Sequence, residues 1–216
     1  MAQTNRLPSR LHHTAYVTRD QEKTRQFYED VIGLPLMATW CESDELFGKV
    51  RTYAHTFYGI GDGGGLAFFQ FADPADQEEF GPRMPATPFH HIALRVDAET
   101  QGAIEARIAK AGIKPPATCV LDHGYCRSVY VTDPNDLILE FTCDHPEVEM
   151  IPRERRADAH QSLRRWLAGD HTSNNTGRQE SRDRTRSSNT QLHGSERTRP
   201  GSPLRGASKI SRGETR

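Results

Sequence analysis

His12-His13-Thr14-Ala15-Tyr16-Val17 and His90-His91-Ile92-Ala93-Leu94-Arg95-Val96 both open on His-His-x-Ala and continue with alternating apolar residues, at an offset of 78 positions. Alternation of this kind places side chains on the two faces of a β-strand, and self-similarity at a fixed offset marks a duplicated unit. Each strand is followed by an acidic residue, Asp20 or Asp97, suited to cap a helix. In the first predicted helix Phe27, Tyr28, Val31 and Ile32 form one apolar stripe, and Gly33 stands where a C-terminal glycine belongs. In the second, Ile104, Ile108 and Ala111 form the stripe and Gly112 closes it.

Three strand-like runs follow each helix. They lie at 36–40, 51–58 and 66–71 in the first copy, and at 119–121, 128–132 and 137–143 in the second. Asp133-Pro134-Asn135-Asp136 supplies the last turn. The expected fold is therefore α+β, a βαβββ module present twice, with module one over 10–72 and module two over 89–145. The intervening 73–88 is a long, acidic, proline-bearing linker of the kind used as a lid or binding loop. A short amphipathic helix over 153–168, with Ala159, Leu163, Trp166 and Leu167 on one side, is expected to pack on the outside.

Composition separates this ordered part from the C-terminal segment. The 216 residues carry 28 Lys+Arg against 29 Asp+Glu, a net charge of -1. Residues 170–216 hold nine Arg and Lys209 against five Asp and Glu, a net of +5, which leaves -6 for residues 1–169. This basic tail has no aromatic residue and too few aliphatic ones to offset its ordering entropy, so disorder is expected. The acidic balance of the ordered part argues against a specific nucleic-acid partner. No apolar stretch approaches the roughly 20 residues of a membrane helix, and 1–11 lacks the apolar run of a secretory signal. A cytoplasmic chain with no membrane partner is expected. Cys41, Cys119, Cys126 and Cys143 show no paired spacing and read as reduced thiols.

The duplicated histidines carry the chemistry. Residues at matched positions of two duplicated strands face each other if the copies are related by a pseudo-twofold axis, which would bring His13 and His91 together. Glu140 interrupts the apolar strand Leu137-Ile138-Leu139-Glu140-Phe141, where a carboxylate is costly unless paired or bound to a metal. Two imidazoles and one carboxylate form a facial triad for a divalent cation, typically non-haem iron(II), and leave adjacent positions open. By strand alternation His12 and His90 point to the opposite face.

His13 with Asp20, the Phe27-Tyr28 pair, Val31-Ile32-Gly33-Leu34, His91, and Asp133-Pro134 through Leu139-Glu140 together resemble the vicinal-oxygen-chelate superfamily of glyoxalases, bleomycin-binding proteins, fosfomycin-inactivating transferases and extradiol dioxygenases. The resemblance spans about residues 10–145. It implies a single domain whose paired βαβββ modules curl into an incomplete eight-stranded barrel around one metal per chain, with His13, His91 and Glu140 as ligands. Iron(II) is the expected ion, with manganese, nickel and zinc as the other candidates. The first-copy position matching Glu140 is expected near Phe69 or Gln70, where no carboxylate stands.

The run His123-Gly124-Tyr125-Cys126-Arg127-Ser128-Val129-Tyr130, then Asp133-Pro134 and Glu140, is similar to the signature of extradiol ring-cleavage dioxygenases. That likeness implies opening of a catechol-like ring by dioxygen, with His123 and Tyr130 as hydrogen-bond donors to the developing negative charge. Asp136 replaces the usual turn glycine, and Leu121 stands where small or β-branched residues are usual. The usual acid-base histidine is also absent, its position falling in Gly63-Gly64-Gly65, and His55, one strand earlier, is the candidate to replace it. The expected partners are a small molecule with two adjacent oxygens, dioxygen and a second copy of the chain. Two other functions use the same fold: a glyoxalase-like lyase or isomerase acting through an enediolate, and a non-catalytic binder of the bleomycin-binding type.

Overall fold

The structure is a computed structural model and describes residues 8–81, 87, 89–146 and 153–174. In chain order the elements are β1 (His13–Val17), α1 (Gln21–Arg25) with a π-helical continuation (Gln26–Ile32), β2 (Leu36–Leu46), β3 (Lys49–Gly59), β4 (Gly65–Phe71), α2 (Pro74–Phe80), β5 (His91–Arg95), α3 (Ala98–Lys110), β6 (Thr118–Asp122), β7 (Cys126–Thr132), β8 (Ile138–Asp144) and α4 (Arg153–Leu167). The eight strands form two four-stranded sheets of the same topology, β1-β4-β3-β2 and β5-β8-β7-β6. In each, the first strand runs parallel to the last, and the remaining pairs are antiparallel. The duplication is thus structural as well as sequential.

The caps sit where the acidic residues predict them. Asp20 accepts from the backbone N–H groups of Glu22 and Lys23, and Asp97 from that of Thr100. Gly33 ends the π-helical segment at φ +89°, a conformation that a residue without Cβ adopts at no steric cost. Asp136 takes φ +69° at the position where a glycine is usual, a conformation that aspartate tolerates better than most residues.

One face of each sheet is covered by helices, and the two covered faces share a single core. Tyr58, Leu66 and Phe68 of the first sheet meet Phe27, Tyr28 and Ile32. The same cluster contains Val129, Val131, Leu139 and Phe141 of the second sheet with Ile104 and Ile108 of α3. Arg107 clamps the modules together by donating to the carbonyls of Val31 (2.9 Å) and Ile32 (2.5 Å). A buried polar network makes a second link. Tyr28 donates to Asp133 Oδ2 at 3.0 Å, Thr18 donates to Asn135 Oδ1 at 3.1 Å, and Asp133 Oδ1 accepts from the N–H groups of Asn135 and Leu137. Burial pushes the Asp133 carboxyl above the usual range.

Several expectations are corrected. The first strand after α1 does not end at 40. It continues to Leu46 and turns through Phe47 and Gly48, both at positive φ, into β3. Cys41-Glu42-Ser43-Asp44-Glu45 lacks apolar alternation because β4 supports β3 only between Tyr53 and Gly59, so this part of the hairpin covers no core. The linker 73–88 is not a plain loop, since it opens with α2, capped by Asp73 and begun by Pro74. The fully buried Asp76 fastens α2 to the hairpin through Lys49 (2.9 Å) and Arg51 (3.2 Å). α4 forms as expected but does not pack: Leu163, Trp166 and Leu167 all stay more than half exposed.

All four cysteines are free thiols. Among the described residues no helix is long and apolar enough to cross a membrane. From residue 175 onward the basic tail lies outside the described residues.

Two outcomes test the link between the modules. Tyr28→Phe removes the shorter of the two hydrogen bonds to the buried Asp133 Oδ2, leaving that from Asn135 Nδ2 at 3.4 Å, and is expected to lower unfolding free energy by about 1–3 kcal/mol in urea titrations; an unchanged midpoint contradicts this. Because burial raises the Asp133 carboxyl, its proton favours the folded state. That contribution is complete below the unfolded value of about 4 and is lost as pH rises through the folded value. The stability of the wild type relative to Asp133→Asn should therefore fall as pH rises from about 4, whereas parallel profiles would contradict the assignment.

Candidate functional site

Strand alternation fixes which side chains the helices leave uncovered. In the second sheet Ala93, Glu140, Tyr130 and Cys119 form one row across the four strands, and Arg95, Thr142, Ser128 and Leu121 form the next. Val129, Val131, Leu139 and Phe141 point the other way, into the core. Every polar group of interest in this module therefore lies on the open face.

These groups make a continuous set. His91 Nε2 lies 3.0 Å from Glu140 Oε2. Glu140 Oε1 accepts from the Ser128 hydroxyl at 2.6 Å. His123 Nε2 is 3.0 Å from the Tyr130 hydroxyl, and the rings of Tyr130 and His91 meet edge to face at 5.8 Å. Glu140 is only 7% exposed, so its charge depends on these partners. Burial, together with the neighbouring Glu140 carboxylate, holds the Tyr130 phenol well above its ordinary value, and Tyr130 stays a protonated donor at neutral pH. Cys126 is buried, with its sulfur 3.8 Å from the Ser128 hydroxyl.

His13 belongs to a different constellation. Its Nδ1 is 2.8 Å from Nδ1 of His12, and its ring lies 5.8 Å from that of Phe57. His12 precedes β1 and folds back onto His13 rather than pointing to the opposite face. His55 stacks on Phe69 at 3.7 Å and lies 4.3 Å from Phe57 and 6.2 Å from Trp40. Its Nδ1 is 4.0 Å from Glu42, and its buried Nε2 has no hydrogen-bond partner among the described residues. Burial pushes the His55 imidazole below its ordinary value, and the ring is neutral at pH 7.

The expected convergence of His13, His91 and Glu140 does not occur within one chain. Among the described residues, no group of three or more His, Cys, Asp or Glu is placed to hold a metal ion. The cause is the way the modules meet. Their helix-covered faces share the core, so the two open faces, each carrying its own histidine, are not closed over one another. His91 and Glu140 are together, and His123 and Tyr130 adjoin them, but His13 and His55 sit on the other sheet.

The register also corrects one equivalence. Glu140 pairs with Ala93 and Tyr130, and the matching row of the first sheet is Ala15, Ala67, Phe57 and Ala38. The counterpart of Glu140 is thus Ala67, not Phe69 or Gln70. By the same register Phe57 matches Tyr130 and His55 matches Ser128. Ser128 was not anticipated from the sequence, although its place two residues before Tyr130 on an alternating strand puts it on the same face. Trp40 and Phe57 were missed as well, because only cross-strand register reveals that they flank His55 and His13.

The donor types suit a divalent cation, since two imidazoles and a carboxylate are the ordinary set for first-row metals. His91 and Glu140 are positioned as two such donors, and a third has to come from outside the second sheet.

The profile of the Glyoxalase/Bleomycin resistance protein/Dioxygenase superfamily matches residues 10–141. No curated protein sequence matches the chain. Among solved structures, a genomically encoded fosfomycin resistance protein, FosX, from Listeria monocytogenes is 18% identical, with 65% of this chain and 98% of that one covered at a TM-score of 0.46. A glyoxalase/dioxygenase from Nostoc punctiforme is 21% identical, with 67% and 99% covered at 0.43. A glyoxylase/bleomycin resistance protein/dioxygenase domain from Frankia sp. EAN1pec is 13% identical, with 64% and 100% covered at 0.48. With twin βαβββ sheets and a profile match over most of the ordered part, the chain belongs to the Glyoxalase/Bleomycin resistance protein/Dioxygenase superfamily.

Proposed function

We propose that the protein is a metal-dependent oxidoreductase of the extradiol type, which opens a catechol-like ring with dioxygen at a site completed between two copies of the chain. His91 and Glu140 of one copy and His13 of the other are the proposed ligands. The observation that carries this reading is the connected series His123, Tyr130, Glu140 and His91 on an uncovered sheet face, with each neighbouring pair in polar or ring contact. A pair of copies that laid the open face of one first sheet over the open face of the other's second sheet would unite the three donors and also cover both faces.

What iron(II) supplies when bound there is Lewis acidity toward two adjacent oxygens and a route for electrons from the diol to dioxygen. The protein's own part is set by the geometry. Ser128 fixes the Glu140 carboxylate by donating to Oε1, which leaves Oε2 turned to His91. Tyr130, kept protonated, offers a donor beside that carboxylate. His123 Nε2 lies within hydrogen-bond reach of the Tyr130 hydroxyl, and in the tautomer that leaves Nε2 unprotonated it accepts the Tyr130 proton as that hydroxyl takes the one that a catechol loses on binding.

The test is anaerobic reconstitution with iron(II), addition of a panel of catechols, then oxygen. Oxygen uptake with a ring-opened chromophore is expected. Turnover only with nickel, zinc or cobalt under nitrogen, on a hemithioacetal, would replace this reading with the lyase or isomerase one. Glu140→Ala, His91→Ala and His13→Ala should each lose bound metal by elemental analysis. His123→Ala and Tyr130→Phe should keep it while kcat falls by about 100-fold. Equal metal loss in all five variants would contradict the division between ligands and proton relay.

A further inference from the structure

The charge of the chain changes sign where α4 begins. α4 holds five arginines against Glu154 and Asp158, a net of +3, and residues 170–216 add +5. Since residues 1–169 together carry -6, the part that precedes α4 carries -9. α4 also keeps Leu163, Trp166 and Leu167 in solvent, and Trp166 stays 59% exposed although its ring lies 4.2 Å from that of His171. At 3.6 residues per turn Ala159, Leu163, Trp166 and Leu167 fall within about 100° of the helix circumference. Arg156 falls in the same arc, Arg155 and His160 border it, and Asp158 lies on the far side. Arg155 and Arg165 pair with Asp158 and Asp170, whereas Arg156 and Arg164 are exposed and have no ion-pair partner among the described residues.

Charge decides what covers this stripe. A second α4 would set one net-positive helix against another. An RNA strand would engage the arginines but leave both leucines in water. An anionic bilayer surface uses both features at once, because the leucines and the indole enter the boundary between headgroups and acyl chains while the bordering arginines stay level with the lipid phosphates. We propose that α4 is a reversible anchor for membranes rich in anionic lipid, lying along the surface with Leu163, Trp166 and Leu167 immersed. The +5 of the tail adds to the attraction, and the acidic part before α4 is repelled by the same lipids. The expectation of no membrane partner rested on the want of a spanning segment, and a helix that lies on a bilayer requires none. This proposal is independent of the catalytic reading.

The test is co-sedimentation of the full-length chain with vesicles of phosphatidylcholine alone and with vesicles containing about 30% phosphatidylserine. Binding to the second kind should be at least about tenfold tighter, and should weaken about tenfold between roughly 0.1 M and 0.5 M salt. Trp40 and Trp166 are the two tryptophans of the chain, so a Trp40→Phe chain reports on Trp166 alone, with α4 unaltered. Its emission should shift to the blue and become protected from acrylamide on the anionic vesicles. A chain carrying both Leu163→Ala and Trp166→Ala should bind about tenfold more weakly with an unchanged thermal midpoint, because neither side chain packs on the domain. Truncation after Gly169 should weaken binding severalfold and keep the blue shift of Trp166. Equal binding to the two kinds of vesicle, an unshifted Trp166 or full binding by the doubly altered chain would overturn the proposal. A lowered thermal midpoint in that chain would do the same, since α4 would then pack on the domain. So would loss of all binding on truncation, which assigns the attraction to the tail alone. An equal blue shift with oligouridylate would assign the stripe to RNA, and a move of the doubly altered chain toward monomer would assign it to a second copy; either result overturns the anchor.

Discussion

The contact between the His91 imidazole and the Glu140 carboxylate, 3.0 Å across two parallel neighbouring strands, is the interaction on which the functional account depends. A carboxylate at 7% exposure would be a large penalty in an apolar strand if it stood alone. It is tolerated because β8 places it on the face that no helix covers, where His91, Ser128 and Tyr130 converge on it. Burial, together with the neighbouring Glu140 carboxylate, also explains why Tyr130 holds its proton. Removing any one of these partners would leave the buried Glu140 carboxylate with fewer groups to hold it.

The same two-residue alternation has a second consequence. In each sheet one face is spent on the core and the other is left open, and the core joins the two modules through their helices, the Arg107 clamp and the Tyr28–Asp133 hydrogen bond. A chain built this way has two separate open faces rather than one enclosed cleft. One is polar and ordered around Glu140. The other is apolar and carries His13, His55, Phe57 and Trp40. Duplication followed by divergence thus yields complementary halves, and the proposed union of one half from each copy accounts for why neither is covered within the chain.

Much of this was legible in the sequence, for identifiable reasons. The His-His-x-Ala repeat, the caps Asp20 and Asp97 and the closing Gly33 revealed the duplicated module, because each is a local signal tied to backbone geometry. His91 stood out from the duplicated strands and Glu140 from its place in an apolar strand, while His123 and Tyr130 were drawn only from the resemblance to the extradiol signature. What was not legible depended on relations between distant segments. The hairpin beyond residue 40 has no core to cover, so it leaves no apolar pattern, and α2 is concealed in a charged linker and held by long-range contacts such as those of Asp76 with Lys49 and Arg51. The equivalence of Ala67 with Glu140 required the observed register. Whether His13 meets His91 is set by which faces the two modules bury against each other, and no periodicity within either module encodes that choice.

The account's central claim is that each metal site takes His13 from one copy and His91 with Glu140 from another. Mixing, unfolding and refolding together a His13→Ala chain and a Glu140→Ala chain tests it most directly, because a mixed pair then contains one doubly altered site and one with all three ligands intact. The account predicts that the refolded mixture recovers about one quarter of the wild-type metal per chain, the share expected when random pairing makes half the dimers mixed. Recovery no greater than that of either variant alone would contradict it.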